Sequence, residues 1–413
     1  MNNICVRKAG QNKGWAIAKH PNKDKDCMFC IITYVIKGVS RSSATKEEGS
    51  ACGKDGGVKM NRERVVVGLS GGVDSAAAAY LLKKQGYEVT GVTMCVLGEE
   101  NRGAQEQMLS DAAAVAEALG IRHETVDFTK SFREKVEEYF AREYLSGRTP
   151  NPCLMCNRYV KWEAVLGFAK SVGARWMATG HYARIERLSN GRYAVRNSVT
   201  AEKDQTYVLA RLTQEQLAHT LMPLGTYTKE QVRELAEEAG IPVAQKKDSQ
   251  EICFIPDHDY AAFIARRRPE DMCGEGNFVT PDGVVLGRHR GLVHYTVGQR
   301  KGLGIALGQR MFVKCLRPET NEVVLVPDDA VYSHVLVCKD ISFMGIMPMQ
   351  AGEKRRLTGR IRYGHKGAAA AVTMMADGCL KAEFEQPVRA VTPGQAAVFY
   401  DGEYLACSGI ISD

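Results

Sequence analysis

Between Asn61 and about Leu224 the apolar positions alternate between two periods. Short β-branched runs give way repeatedly to stretches in which apolar residues recur every three or four positions. Val65, Val66 and Val67 predict a buried strand over 64–69, and the alanine-rich segment after them predicts a helix over 74–85. Further strands are expected over 88–97, 122–126 and 176–179, and further helices over 104–119, 132–144 and 160–171. Strand, helix, strand in this order is the pattern of a parallel α/β sheet, whose ligands bind at the carboxyl ends of the strands. Thr228 to Ala239 predicts a helix capped by Thr228 and stopped by Gly240 and Pro242, within a connector over 226–274. Beyond it, short apolar alternations separated by turns such as Pro281-Asp282-Gly283 and Asp401-Gly402 predict two small β units, 275–343 and 344–413. Residues 1–60 show no sustained period and are expected to form a poorly ordered basic extension.

Charge changes this picture little. The chain of 413 residues carries a formal net charge of +7, but residues 1–60 hold 11 Lys/Arg against 5 Asp/Glu, which leaves the remainder almost neutral. Nucleic-acid contact is therefore expected from local patches: Arg266 to Arg268, Arg288 with Arg290, Arg300 with Lys301, and Lys354 to Arg356. No apolar run reaches the length of a membrane span, so no membrane partner is expected. Thirteen cysteines spread through a long chain without a signal peptide suggest a reducing, cytoplasmic setting.

Candidate chemistry lies first between the opening strand and helix. Gly68, Leu69, Ser70, Gly71, Gly72, Val73, Asp74 and Ser75 form a glycine- and serine-rich turn at a helix N-terminus, where successive amides can face phosphate oxygens. Asp74 is a candidate Mg2+ ligand. It also stands where a Walker A loop would carry its lysine, which argues against γ-phosphoryl transfer. The order SGGVDS resembles the pyrophosphate loop of the N-type ATP pyrophosphatases.

Cysteines supply the second candidate chemistry. Cys153 and Cys156 are expected in a proline-stiffened loop just ahead of the helix over 160–171, near Arg158 and Lys161, where a thiolate would be favoured. Cys253 lies in a polar segment near two lysines. Cys95, Cys315, Cys338, Cys379 and Cys407 stand in apolar surroundings and read as core residues. Cys27 and Cys30 form a Cys-x-x-Cys pair, but their spacing to Cys5 and Cys52 matches no zinc module.

Seven ordered motifs complete the reading: SGGVDS at 70–75, NPCLMCN at 151–157, GHYAR at 180–184, KDQTY at 203–207, SQEICF at 249–254, YTVGQRKGLG at 295–304 and RAVTPGQAAVFY at 389–400. Together they resemble the tRNA-specific 2-thiouridylase family from about Asn61 to the C-terminus. The resemblance implies an N-type ATP pyrophosphatase domain over 61–225 followed by two β-rich domains. It implies ATP-dependent 2-thiolation of the wobble uridine, with adenylation of the base followed by sulfur transfer from a cysteine persulfide. Cys253 would carry the persulfide and Cys156 would be the nucleophile. The loop 68–75, Met94 and Gly180 would bind ATP with Mg2+. Asn151, Pro152 and Cys153 would line the target base, while His181, Lys203, Asp204, Gln205, Arg362, Tyr363 and Gln395 would meet the tRNA. The implied partners are tRNAs for lysine, glutamate and glutamine, and a cysteine desulfurase or sulfur-relay protein.

One position departs from the family. Many members carry aspartate where this chain has Cys153, so a proton-transfer role does not carry over, and Cys153, Cys156 and Cys253 offer three thiolates to an iron–sulfur cluster. Two other readings keep part of the pattern: an ATP pyrophosphatase-type ligase acting on a small substrate, and a non-catalytic tRNA-binding protein.

Overall fold

The computed structural model describes residues 63–246 and 252–412. The expected extension over 1–60, with Cys5, Cys27, Cys30 and Cys52, lies outside the described residues.

Strands β1 (Arg64–Gly68), β2 (Glu88–Cys95), β3 (Arg122–Asp127) and β4 (Trp176–Ala178) form a parallel sheet that the short strand Thr220–Leu221 completes, in the order β3, β2, β1, β4, Thr220–Leu221. The three valines of β1 explain its central place. Val66 packs on one face with Trp162, Leu166 and Met177, while Val65 and Val67 pack on the other with α1 (Val73–Lys84) and α2 (Arg102–Leu119). A strand covered on both faces in this way has no solvent side to mark with polar residues. The chain runs outward from β1 to β3 and then returns to place β4 on the other side of β1. That reversal opens a crevice at the carboxyl ends of β1 and β4, where the loop 68–75 and the segment Thr179–His181 emerge.

Three features differ from the sequence expectation. Cys153 and Cys156 are not in a loop: the helix begins at Pro152, runs to Cys156, widens into a π-type turn over Asn157–Trp162 and continues over Glu163–Ser171. Asn151 accepts from the Cys153 amide at 3.1 Å as N-cap, and Pro152 occupies the first helical position, where its missing N–H costs nothing. Secondly, the hairpin Arg184–Arg187 and Tyr193–Arg196 leaves the α/β unit and adds to a C-terminal sheet through Arg196 opposite Tyr404. Thirdly, the strand Tyr332–Phe343, placed by sequence in the first β unit, pairs with both Leu380–Arg389 and Tyr404–Ile411. This double pairing closes a six-stranded barrel with Lys354–Arg360, Ala368–Met374 and Ala396–Asp401. The break between the β units therefore falls before Tyr332. The first unit keeps four strands, Gly276–Val279, Val285–His289, Phe312–Arg317 and Glu322–Val326, around Phe278 and Tyr295.

The barrel is not a loose appendage. Val398, Tyr400 and Leu405 belong to the same buried cluster as Val66, Trp162, Val195 and Tyr207, so one core spans the sheet, the hairpin and the barrel wall. Arg192 fastens the hairpin by donating to the carbonyls of Met344 and Phe343 at 2.7 and 2.6 Å. On the barrel's own side Phe399 is fully buried among Leu357, Phe384 and Ile361. Phe399→Ala should cost the barrel about 3–5 kcal/mol. A urea midpoint shifted by less than about 1 kcal/mol equivalent would contradict the packing described.

Candidate active site

The loop after β1 is held open by its own hydroxyls. Ser75 Oγ donates to the Gly72 carbonyl at 3.0 Å and accepts from the Ser70 amide at 3.1 Å, which fixes the curve of the turn. Gly71 has φ of +66°, and a Cβ there would lie 2.8 Å from the Met108 carbonyl oxygen, so only glycine fits. The first turn of α1 has Gly72 as N-cap with no side chain satisfying its amides, which leaves them to an anion. Gly180, from the segment after β4, is pressed against this turn: a Cβ on it would stand 2.6 Å from the Asp74 carbonyl carbon and from the Ser75 nitrogen. The structure thus joins Gly68–Ser75 and Gly180 in one place. Met94, near the end of β2, packs half-buried against the core below.

Asp74 is more engaged than its sequence suggests. Its Oδ1 accepts from Lys229 Nζ at 2.7 Å and from Tyr182 hydroxyl at 2.8 Å. Lys229 is buried in the first turn of the helix Lys229–Glu238, so the pair neutralises a charge that burial would otherwise penalise. Tyr182 sits inside the GHYAR motif and was within reach of sequence reasoning. Lys229 was not, being 155 residues away. Among the described residues no group of three or more His, Cys, Asp or Glu side chains is disposed to hold a metal ion. Cys153, Cys156 and Cys253 accordingly do not make up such a group.

The three thiols nevertheless lie within electrostatic range of one another. The charge of Cys156 is coupled to those of Cys253 and Cys153, and Cys253 is likewise coupled to Cys153. Cys153 and Cys253 present surface to solvent while Cys156 is half-buried against the cluster containing Phe254 and Ile255. Protein nevertheless crowds all three sulfurs. Crowding opposes the charged form: burial pushes Cys156 up to about 12 and Cys253 to about 11, and it raises Cys153. The expectation of favoured thiolates is thereby corrected, because desolvation outweighs the nearby Lys161.

His181 links the cysteine-bearing helix to the phosphate turn. It follows Gly180, its ring lies 5.5 Å from that of Trp162, and its Nδ1 pairs with Thr179 Oγ1 at 2.8 Å. Burial, with Lys161 adding to it, drives its pKa down to about 3, so the ring is neutral.

Residues expected to meet tRNA divide into two kinds. Lys203 and Tyr363 lie at the rim, Tyr363 being 44% exposed with its hydroxyl donating to the Asp204 carbonyl at 3.4 Å. Asp204 and Gln205 face inward instead. The buried Asp204 carboxylate accepts from the Ser198 amide and from Thr206 Oγ1 at 2.6 Å, and Gln205 Oε1 accepts from the Tyr182 amide at 3.0 Å. Arg362 donates to the Arg389 carbonyl at 2.8 Å. Gln395 reaches from the barrel to donate to the Thr149 carbonyl at 2.8 Å, while the Thr149 amide donates to Pro393. The barrel thus grips the approach to Asn151, Pro152 and Cys153.

Comparison with known proteins agrees with this arrangement. Three family models cover the chain: a tRNA methyl transferase HUP domain over 63–257, a tRNA methyl transferase PRC-barrel domain over 261–327 and an aminomethyltransferase beta-barrel domain over 333–411. The tRNA-specific 2-thiouridylase MnmA of Lachnoclostridium phytofermentans is 50% identical over 84% of this chain and 99% of its own length. Those of Clostridium acetobutylicum and Acetivibrio thermocellus are 46% and 48% identical, each over 85% of this chain and 100% of their own length. The chain belongs to the tRNA-specific 2-thiouridylase family. Solved structures align more loosely, an NMN synthetase from Francisella tularensis over 50% of this chain and 77% of that chain at 20% identity and a TM-score of 0.30. No described helix of this 2-thiouridylase family member is long and apolar enough to cross a membrane.

The depressed His181 pKa has a measurable consequence. An unfolded histidine takes up its proton near pH 6.5 and the folded one only near 3, so stability falls as pH drops below 6.5. His181→Asn should remove about 1–2 kcal/mol of the loss between pH 6.5 and 5, read from urea midpoints. An unchanged acid limb would show that His181 is already charged in the fold.

Proposed function

We propose that this protein 2-thiolates the wobble uridine of tRNAs for lysine, glutamate and glutamine, using ATP with Mg2+ and a cysteine persulfide. The observation that carries the reading is an uncapped glycine-rich helix N-terminus joined, through Gly180 and the ring contact of His181 with Trp162, to the helix that bears Cys153 and Cys156. Relatives named as 2-thiouridylases at about half identity over their full length support the same activity.

The C2 oxygen of uracil is a poor leaving group, and adenylation by ATP, with pyrophosphate released, converts it into a good one. The backbone of Gly68–Ser75 would receive the ATP phosphates, and Asp74 is the carboxylate of this turn that could hold an accompanying Mg2+. Cys253 then carries sulfur as Cys253–S–SH, loaded by a cysteine desulfurase or relay protein of the cytoplasm. The Cys156 thiolate attacks Sγ of Cys253. The bond from that sulfur to the terminal sulfur breaks, its electron pair leaves with the terminal sulfur as hydrosulfide, and a Cys156–Cys253 disulfide forms. Hydrosulfide adds to C2, and AMP departs with the former C2 oxygen. The two cysteines are oxidised by two electrons and the transferred sulfur is reduced by two. Cys153 lines the base pocket with Asn151 and Pro152. The rim residues Lys203 and Tyr363 suit phosphate contact and base stacking.

Mass spectrometry of nucleosides from tRNA incubated with the protein, ATP, Mg2+ and a persulfide-generating system should show 2-thiouridine only when ATP is present. Cys253→Ser should lower its formation by about 10³-fold or more while tRNA binding stays within about twofold. Persistent thiolation in that variant would defeat the persulfide assignment. Gly180→Ala, which drives a methyl group into the phosphate turn, should weaken ATP binding by about tenfold or more and leave tRNA binding unchanged. Normal ATP affinity would remove the turn from the nucleotide site.

A further inference from the structure

Lys161 takes no part in the reaction as outlined, yet its position is unusual. It lies in the π-type turn Asn157–Trp162, on the same continuous helix as Cys153 and Cys156. Hydrogen bonding in a π turn runs from residue i to i+5, so Lys161 stands one turn along from Cys156, where α-helical winding would rotate it away. π turns inside helices occur often at functional sites. The side chain is half-buried, and among the described residues it forms neither an ion pair nor a side-chain hydrogen bond. Neighbouring cations are otherwise occupied: Arg158 lies over the Tyr159 ring at 4.9 Å, and Arg267 pairs with Glu137 at 2.5 Å.

A half-buried ammonium with no anion paired to it among the described residues gains from any anion that arrives beside it during function. Its field falls on Cys153, Cys156, Cys253 and His181. Other groups facing this cluster do not replace it. His181 is neutral, Glu137 opposes ionisation of Cys253, and the Tyr363 phenol reaches Cys153 from the barrel. Among the described residues Lys161 is the cation whose charge reaches each of the three sulfurs.

We propose that Lys161 is the positioning cation for sulfur transfer, its ammonium holding the negative charge of the Cys156 thiolate and of the hydrosulfide set free from Cys253. This rests on the two-thiol reading above. It explains how sulfurs in desolvated surroundings ionise at all: the charge moves between positions that share one cation, and no sulfur needs to ionise in isolation. A cation with this role acts in turnover and leaves tRNA and ATP binding unchanged.

The test compares Lys161→Met, Lys161→Gln and Lys161→Arg in the full chain. Rates of alkylation of Cys156 and Cys253 by iodoacetamide, followed by peptide mass spectrometry from pH 7 to 10, report the thiolate fraction without requiring any thiolation. Removing the ammonium should slow alkylation about tenfold at each pH, equal to one pH unit of displacement. The same variants should lower kcat for thiolation about tenfold or more with KM for tRNA and ATP unchanged, and Lys161→Arg should restore most of both. Alkylation profiles of Lys161→Met and Lys161→Gln that overlay the wild type would overturn the proposal. Should the wild type itself fail to thiolate tRNA, the function reading falls, and the alkylation comparison still decides the role of Lys161. Lys161→Gln keeps a polar terminus and serves by the same criterion if the methionine variant misfolds.

Discussion

The close approach of Gly180 to the backbone of Asp74 and Ser75 is the constraint on which the site depends. A methyl group at Gly180 would stand 2.6 Å from that backbone, so the turns after β1 and β4 can pack together only because glycine occupies this position. That packing places His181 at the rim of the phosphate turn and sets Trp162 against the His181 ring. Trp162 in turn ends the π-type turn that follows Cys156, and its indole donates to Thr220 at 2.9 Å. Under the proposed function, phosphate binding and sulfur transfer would be carried by elements packed against each other here.

The barrel extends this packing to the substrate side. Gln395 and Pro393 hold both the carbonyl and the amide of Thr149, two residues before the cap of the cysteine helix. Tyr207 donates to the Ala396 carbonyl at 2.9 Å, and Thr206 pairs with the Tyr400 hydroxyl at the same distance. With Val398, Tyr400 and Leu405 in the core of the α/β unit, moving the barrel would mean exposing buried apolar surface. A tRNA held by the barrel, as proposed, would be registered against the thiols by this packing.

Much of this was legible in the sequence. The valines of β1 and the alanines of α1 announced a doubly covered parallel sheet, Thr228 announced its helix, and the glycine–serine turn announced an anion site. The misses have physical causes. Asn151-Pro152 read as a stiff loop although the same pair is a helix cap followed by a first-turn proline. The hairpin over 184–196 is short and charged, and its affiliation is decided by contacts with Met344 and Tyr404 that lie far away in the chain. The strand Tyr332–Phe343 carries register shifts that break its period-two signal. The partners of Asp74 and the upward shift of the thiol pKa values follow from tertiary burial, which residue types alone do not encode.

The central claim is that sulfur leaves Cys253 by attack of Cys156 at a base activated by ATP. Its most direct test is a single-turnover reaction of persulfidated protein with excess tRNA and ATP and no added reductant, quenched by alkylation and mapped by peptide mass spectrometry. The account predicts a Cys156–Cys253 disulfide formed in equal amount with 2-thiouridine, with Cys153 alkylated as a free thiol. 2-Thiouridine formed while Cys156 and Cys253 both remain free, or accompanied by a disulfide to Cys153, would contradict it.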